Sequence, residues 1–195
     1  MGHREDLLDG AVRCIYEKGY ARTTARDVVE ASGTNLGSIG YHYGGMTNLM
    51  AAALEKAVEA WGLSLAQAIM SAGAEELSGV ERFERYWEHM INSVHTQRPL
   101  LMATFDAFLE AEKSEAVKTM LIEGMRDARR LWAQVFHGID AAIEPAKADL
   151  VGSFYQALVS GVLTQVLLDP DDAPTAQDLT AAVNIVAESF REKIR

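Results

Sequence analysis

The 195-residue chain is 49% apolar and 24% charged, a composition that excludes intrinsic disorder and suffices for one or two domains with packed cores. Its single cysteine, Cys14, excludes an intramolecular disulfide and fits a reducing compartment. The net charge of −10 argues against a strongly basic nucleic-acid binder, although the charge is unevenly distributed. Residues 1–50 carry five basic and six acidic side chains, a net charge of −1, and the rest of the chain carries −9.

Two features of the sequence bear on localisation. The first residues hold acidic groups where a secretory signal peptide needs basic ones. The most apolar run, near residues 157–168, is interrupted by Ser160 and Gln165 and is too short to span a bilayer. We therefore expect a cytoplasmic protein with no membrane partner.

Apolar residues recur with helical spacing along the whole chain, and no segment alternates with period two, so the pattern predicts an all-α fold. The first helical stripe ends at Gly19, and Thr24 with Asp27 has the spacing of a capping box before a second helix, Ala25–Ser32. Asn35 is expected to cap a third helix, Leu36–Tyr43. Further helices are predicted at residues 47–72, 80–96, 99–111, 114–136, 147–168 and 176–193, with Pro99 in a first turn.

The segment from residue 33 to residue 46 contains five glycines between helical patterns. Two short helices joined by a glycine turn are typical of a helix-turn-helix. At 100° per residue, Ile39 and Tyr43 fall on a core-facing side of the third helix, whereas Gly37 and Tyr41 fall on the opposite side. That outward side is nearly bare backbone, as a helix lying in a DNA major groove requires. The alternatives are a structureless loop and a phosphate-binding turn, but the glycines do not fit G-x-G-x-x-G.

Residues 19–50 resemble the DNA-binding domain of TetR-family (TetR/AcrR) transcriptional repressors. The resemblance depends on Gly19-Tyr20, Thr23-Thr24, Arg26-Asp27-Val28, Gly33, Ile39, Tyr41-His42-Tyr43-Gly44 and Leu49. It implies that Thr24 caps the second helix and touches a phosphate, and that Arg26 contacts a phosphate or a base edge. It also implies that Tyr41 and His42 bind phosphates and that the groove-facing residues are Asn35, Leu36, Gly37, Ser38 and Gly40.

The chain departs from that family pattern before the fourth helix. Gly45-Met46 stands where the family usually has Ser-Lys, so a lysine that would meet a phosphate is absent. Asn48 stands where an acidic residue often completes a helix cap. We therefore expect weaker DNA binding than in a lysine-bearing relative.

The resemblance also implies a C-terminal helical domain that binds a ligand and dimerises, which gives a DNA-binding domain at residues 1–46 and a second domain at 47–195. Large side chains of the middle helices are candidates for an apolar effector site: Trp61, Tyr86, Trp87, Met90, Met102, Phe105, Trp132 and Tyr155. Polar candidates beside them are Tyr86, His89, Asn92, Gln134 and Gln156. Small residues of the last two helices, including Gly152, Ser153, Ala157, Ser160 and Gly161, suit a four-helix dimer interface.

Nothing in the pattern supports catalysis. No Glu-x-x-His pair or nucleophile motif occurs, and Cys14 lies in an apolar stripe, so we expect no enzyme activity, no metal and no cofactor. The sequence predicts a homodimeric, ligand-responsive regulator, a repressor of a palindromic operator that a small, largely apolar effector releases. The alternatives are a TetR-like ligand-binding protein with weak or lost DNA binding and an all-α enzyme.

Overall fold

A computed structural model describes residues 2–70 and 77–192, and within them the chain forms eight α-helices and no strand, which confirms the all-α prediction. The helices are α1 (His3–Lys18), α2 (Ala25–Ser32), α3 (Leu36–Tyr43), α4 (Met46–Met70), α5 (Gly79–Ala111), α6 (Glu115–His137), α7 (Pro145–Leu168) and α8 (Ala176–Glu192). Most bounds lie within two residues of those predicted. The predicted ends of the fourth and last helices, at residues 72 and 193, lie outside the described residues.

The prediction of two helices at residues 80–96 and 99–111 is wrong, because α5 is one helix with Pro99 inside it. Proline removes one backbone hydrogen bond and costs about 3 kcal/mol in a helix interior. The residues after it are held by burial, since Leu100, Ala103 and Ala107 are fully buried in one core. Packing of that buried stripe offsets the local cost, so the helix continues through the proline.

The chain forms two compact units. The first comprises the described residues of Met1–Gly62 and Thr96–Asp127, and the second comprises those of Leu63–His95 and Ala128–Arg195. Helices α4, α5 and α6 therefore each contribute residues to both units. The predicted domain boundary at residue 46 stays a prediction.

The core of the first unit joins the three N-terminal helices to α4 and to the second half of α5. Leu7, Ile15, Val28, Leu49 and Leu100 are almost completely inaccessible within it. A polar contact reinforces this packing, since the hydroxyl of Tyr16 on α1 donates to Oε1 of Gln97 on α5 at 2.8 Å. The helix-turn-helix segment thus shares one core with part of the long central helix.

Close helix crossings in both units depend on glycine. A Cβ atom at Gly10 of α1 would lie 2.8 Å from the Cβ of Ser32 at the end of α2. A Cβ atom at Gly152 of α7 would lie 2.4 Å from the backbone oxygen of Arg129 on α6. Each glycine therefore lets two helix backbones approach more closely than any other residue would.

Helix α7 is long and apolar enough, by length and composition alone, to cross a membrane, and it is the one such helix among the described residues. The apolar run that is too short on its own belongs to this 24-residue helix. Eight of its residues, Tyr155 and Val162 among them, are buried inside the second unit. Core helices of non-membrane proteins share these properties, so the length of α7 does not by itself indicate a membrane span.

Candidate functional site

Local signals in the sequence define helix α3 at both ends. Asn35 lies at its N-cap in extended conformation, and its side-chain oxygen accepts the backbone N–H of Ser38 at 3.1 Å. Gly33 and Gly44 bracket the segment with φ angles of 67° and 73°, in the left-handed region that favours glycine. The Asn48 side chain donates to the carbonyl of Tyr43 at 2.9 Å. Asn48 thus satisfies a free carbonyl at the C-terminal end of α3.

The exposed face of α3 matches the predicted one. Ile39 is buried in the core of the first unit, whereas Tyr41 is 86% exposed on the opposite side. Gly37 and Gly40 are exposed, and a Cβ atom at Gly40 would contact nothing within 4 Å. This face is therefore open backbone that a partner can approach closely.

The remaining predicted groove residues border this face. Asn35 and Leu36 are exposed at the first turn, and Ser38 is half-buried. The half-buried ring of His42 meets the Tyr41 ring edge-on, with centroids 4.8 Å apart. The structure thus brings together all the predicted recognition-helix residues on or beside one surface, and their contacts with DNA stay predictions.

The predicted capping box of α2 is confirmed. The Thr24 N–H donates to Asp27 Oδ2 at 2.8 Å, and the Asp27 N–H donates to Thr24 Oγ1 at 3.3 Å. Hydrogen bonds from Lys18 and Thr24 hold the pKa of Asp27 well below its usual range. The Thr24 hydroxyl also donates to Asp27 at 2.7 Å, so a phosphate contact would have to take over that proton. Arg26, in the first turn of the same helix, is exposed.

Five of the eight predicted effector-site residues lie in the second unit: Tyr86, Trp87, Met90, Trp132 and Tyr155. The Trp132 indole N–H donates to the hydroxyl of the buried Tyr86 at 2.9 Å. The ring of Phe136 stacks on Tyr155 with centroids 4.4 Å apart, and Tyr86 meets Phe136 edge-on at 4.7 Å. Burial raises the pKa of the Tyr155 phenol to about 12. An aromatic cluster therefore joins α5, α6 and α7.

The other three predicted effector-site residues belong to the first unit. Trp61 packs half-buried against the core of that unit, and Met102 and Phe105 are exposed on α5. The 33 residues of α5 span about 50 Å, so its two halves pack in different units. The structure thus does not gather the eight residues in one compact unit.

Buried polar atoms without partners lie in the same unit as the aromatic cluster. Within the described residues, no hydrogen bond reaches Trp87 Nε1, Gln156 Oε1, Arg82 Nε or Arg129 Nε. A buried unpaired polar group costs about 1–3 kcal/mol, so such atoms mark where a polar molecule could be bound. Sequence reasoning missed Arg82 and Arg129, since charged helical residues are usually solvated.

The five polar side chains predicted beside the effector site are not all buried. His89, Asn92 and Gln134 are exposed, so that prediction is wrong for them. A separate cleft of about 340 Å³ is lined by Arg130, Ala141, Ala142, Pro145 and Asp149. None of the residues that line it belongs to the predicted effector set.

Helices α7 and α8 present large apolar side chains at the surface. Leu150, Phe154, Ile185, Val186 and Phe190 are between 51% and 75% exposed. The small residues Ser153, Ala157, Ser160 and Gly161 are exposed on α7 as well. Gly152 is different, because it is buried against α6 of its own chain and cannot serve a dimer surface.

The fold and the open face of α3 define the class of protein: an all-α, helix-turn-helix regulator. A family model for bacterial regulatory proteins of the tetR family matches residues 7–53. A second model, for the tetracyclin repressor-like C-terminal domain, matches residues 78–189. The chain therefore belongs to the TetR family of transcriptional regulators, which are not enzymes.

Known relatives agree with this assignment. The chain is 23% identical over 180 residues to the HTH-type transcriptional regulator BetI of Brucella suis biovar 1, covering 92% of this chain and 87% of that one. It is 43% identical over 49 residues to the HTH-type transcriptional repressor AcnR of Corynebacterium glutamicum, covering 25% and 26%. The crystal structure of the multidrug binding protein EbrR complexed with proflavin has the same fold. Its TM-score is 0.65 at 22% identity, with 93% and 97% of the two chains covered.

Proposed function

We propose that this chain is a cytoplasmic, homodimeric, ligand-responsive repressor that binds a palindromic operator and leaves it when a small, largely apolar effector binds. The observation that carries the DNA-binding part is the open face of α3, with Tyr41 exposed and no obstruction at Gly40. In this proposal residues 1–46 read the DNA, and residues 47–195 bind the effector and dimerise.

The surface of α7 and α8 supports the dimer. Six large apolar side chains on the described parts of these helices, Leu168 included, are at least half exposed in the single chain, a density that is unusual on a monomer surface. A twofold four-helix arrangement would cover them and carry two copies of α3. Two recognition helices read half-sites about 34–36 Å apart, one turn of the duplex.

The aromatic cluster supports the effector site. Rings from α5, α6 and α7 converge there, and the same unit holds unpaired donors on Trp87 and Arg82 and an unpaired acceptor on Gln156. An effector with an aromatic body and a few polar atoms would fit such surroundings. EbrR, the structural relative, is a multidrug binding protein solved with proflavin.

The proposed release mechanism is a change in the spacing of the two recognition helices. Helix α4 follows the recognition helix directly and, like α5 and α6, continues from one unit into the other. An effector that favours one position of α4 would move α3 away from its half-site. The shift in operator affinity cannot exceed the difference between the effector's affinities for the two states.

A selection from random duplexes tests the DNA-binding part. Full-length protein is expected to enrich a palindrome with half-sites about one helical turn apart. Gly40→Leu is expected to abolish binding to the enriched duplex by filling the open face, while keeping the fold, because its Cβ meets nothing within 4 Å. The matched control is Gly124→Leu, on an open surface of α6. If no duplex is enriched, the chain is a TetR-like ligand-binding protein without operator binding.

Calorimetric titration with proflavin tests the effector part. Binding is expected to weaken in Tyr86→Ala, which removes a buried ring of the aromatic cluster, and to persist in Leu109→Ala, which changes an exposed side chain of the first unit. Proflavin that binds and leaves operator affinity unchanged would refute the release mechanism.

A further inference from the structure

Most basic side chains of the DNA-binding helices are engaged within the chain. Residues 2–56 contain six arginines and lysines. Arg13 donates to the carbonyl of Ala31, and Arg22 donates to that of Lys18.

Two lysines are engaged as well, because Lys18 pairs with Asp27 and Lys56 pairs with Asp9. Within the described residues, Arg4 and Arg26 take part in no ion pair and donate no side-chain hydrogen bond. Arg26 is already a candidate DNA contact, so Arg4 is the second cation whose charge is available to a partner.

Arg4 is held against the C-terminal turn of the recognition helix. The Tyr43 hydroxyl donates to the Arg4 carbonyl at 2.7 Å. The Arg4 guanidinium lies over the Tyr43 ring, 5.5 Å from its centroid, which is within cation–π distance. Both contacts use Tyr43. Its hydroxyl thus helps to fix the backbone from which Arg4 projects.

Tyr43, against which Arg4 lies, is close in the chain to position 46, where Met46 provides no charge. Only two residues lie between Tyr43 and Met46, so their Cα atoms are at most about 11 Å apart. Met46 begins α4 and packs half-buried against the core, so it offers no charge to DNA. A guanidinium over Tyr43 and an ammonium at position 46 would reach the same stretch of DNA backbone.

We infer that Arg4, positioned by Tyr43, supplies the phosphate contact that the missing lysine at position 46 would have made. The inference rests on the proposed DNA-binding function and adds to it a contact from the start of α1. A phosphate contact raises affinity for every sequence and steepens its salt dependence, and it carries no base preference.

The test is the salt dependence of operator binding, measured by fluorescence anisotropy of the full-length dimer on its enriched duplex between 50 and 300 mM KCl. Arg4→Gln is expected to make the slope of log K against log salt shallower by about 0.9 per subunit, or about 1.8 per dimer. Arg4→Lys keeps the charge and should retain most of the slope. Lys147→Gln, a matched loss of charge at an exposed residue of the second unit, should leave the slope unchanged.

Two further variants separate position from charge. Adding Met46→Lys to the Arg4→Gln protein should restore the wild-type slope, because the lost contact is replaced close by. Tyr43→Phe keeps the ring and removes the hydroxyl, so it should weaken binding in the wild-type background and have no further effect with Arg4→Gln. An equal effect of Tyr43→Phe in both backgrounds would show that Tyr43 does not act through Arg4.

A slope unchanged by Arg4→Gln would overturn the inference, and so would an altered sequence preference at unchanged slope, since that indicates base contact. These outcomes differ from failure of the proposed function, in which the wild-type protein enriches no duplex at all. Because Arg4 is exposed, the Arg4→Gln variant is expected to fold like the wild type. Circular dichroism checks that expectation.

Discussion

Replacing Gly152 with alanine is expected to destabilise the protein by about 2 kcal/mol, although alanine is the better helix former. The added Cβ would lie 2.4 Å from the Arg129 carbonyl oxygen and 2.6 Å from the Arg129 Cβ. Both atoms are fixed by the α6 backbone, so no rotamer change relieves the contact. The two helices must separate by about 1 Å, and such overpacking typically costs 1–3 kcal/mol.

The aromatic cluster adds to that cost, because the Phe136–Tyr155 stack joins the same two helices. The gain of about 1 kcal/mol in helix propensity offsets only part of the loss. Urea denaturation followed by tryptophan fluorescence, at fixed protein concentration, measures the change in unfolding free energy.

Gly124→Ala is the matched control, because Gly124 is also inside α6 and a Cβ there meets nothing within 4 Å. That variant should be as stable as the wild type or up to about 1 kcal/mol more stable. If Gly152→Ala has the same unfolding free energy as Gly124→Ala, then α6 and α7 do not cross closely enough for a Cβ at position 152 to meet the Arg129 carbonyl.

Three other substitutions test separate parts of the molecule. Burial, with the charges of Arg82 and Lys147, lowers the pKa of His137, so the unfolded chain takes up the proton first. The melting temperature should therefore fall as the pH drops from about 7.5 to 5.5, and His137→Gln should flatten that decline. Asp27→Asn should lower the midpoint of urea denaturation at pH 7, with the difference shrinking below about pH 4, because the carboxylate has a lowered pKa in the folded state. Ile185→Glu should convert the proposed dimer into a folded monomer in sedimentation velocity; a dimer that persists would place the interface elsewhere.

What the sequence predicts well here are features set by neighbouring residues. Thr24 and Asp27 form a capping box by their spacing alone, and Asn35 caps α3 for the same reason. The 100° rotation per residue was enough to place Ile39 inside and Tyr41 outside. Since α3 is eight residues long and lies between two glycine turns, neighbouring residues alone determine which of its side chains are exposed.

What the sequence could not predict are features set by residues far apart in the chain. Pro99 is typical of a helix start, yet α5 continues through it because packing of the core around Leu100 stabilises the helix. The effector candidates divide between two units because α4, α5 and α6 each contribute residues to both, which no local pattern indicates. The role of Arg4 depends on a hydroxyl 39 residues away.

The small number of free cations determines how such a regulator would distinguish its operator from other DNA. Non-specific binding depends almost wholly on phosphate contacts, each contributing on the order of tenfold in affinity at 0.1 M salt. With Arg4 and Arg26 as the arginines left free on the helices that precede Met46, affinity for random DNA is expected to be low. In the proposed function, base contacts through the open face of α3 would be made only at the operator. Met46→Lys would therefore strengthen binding to every duplex and improve discrimination at none, because a phosphate is present whatever the sequence.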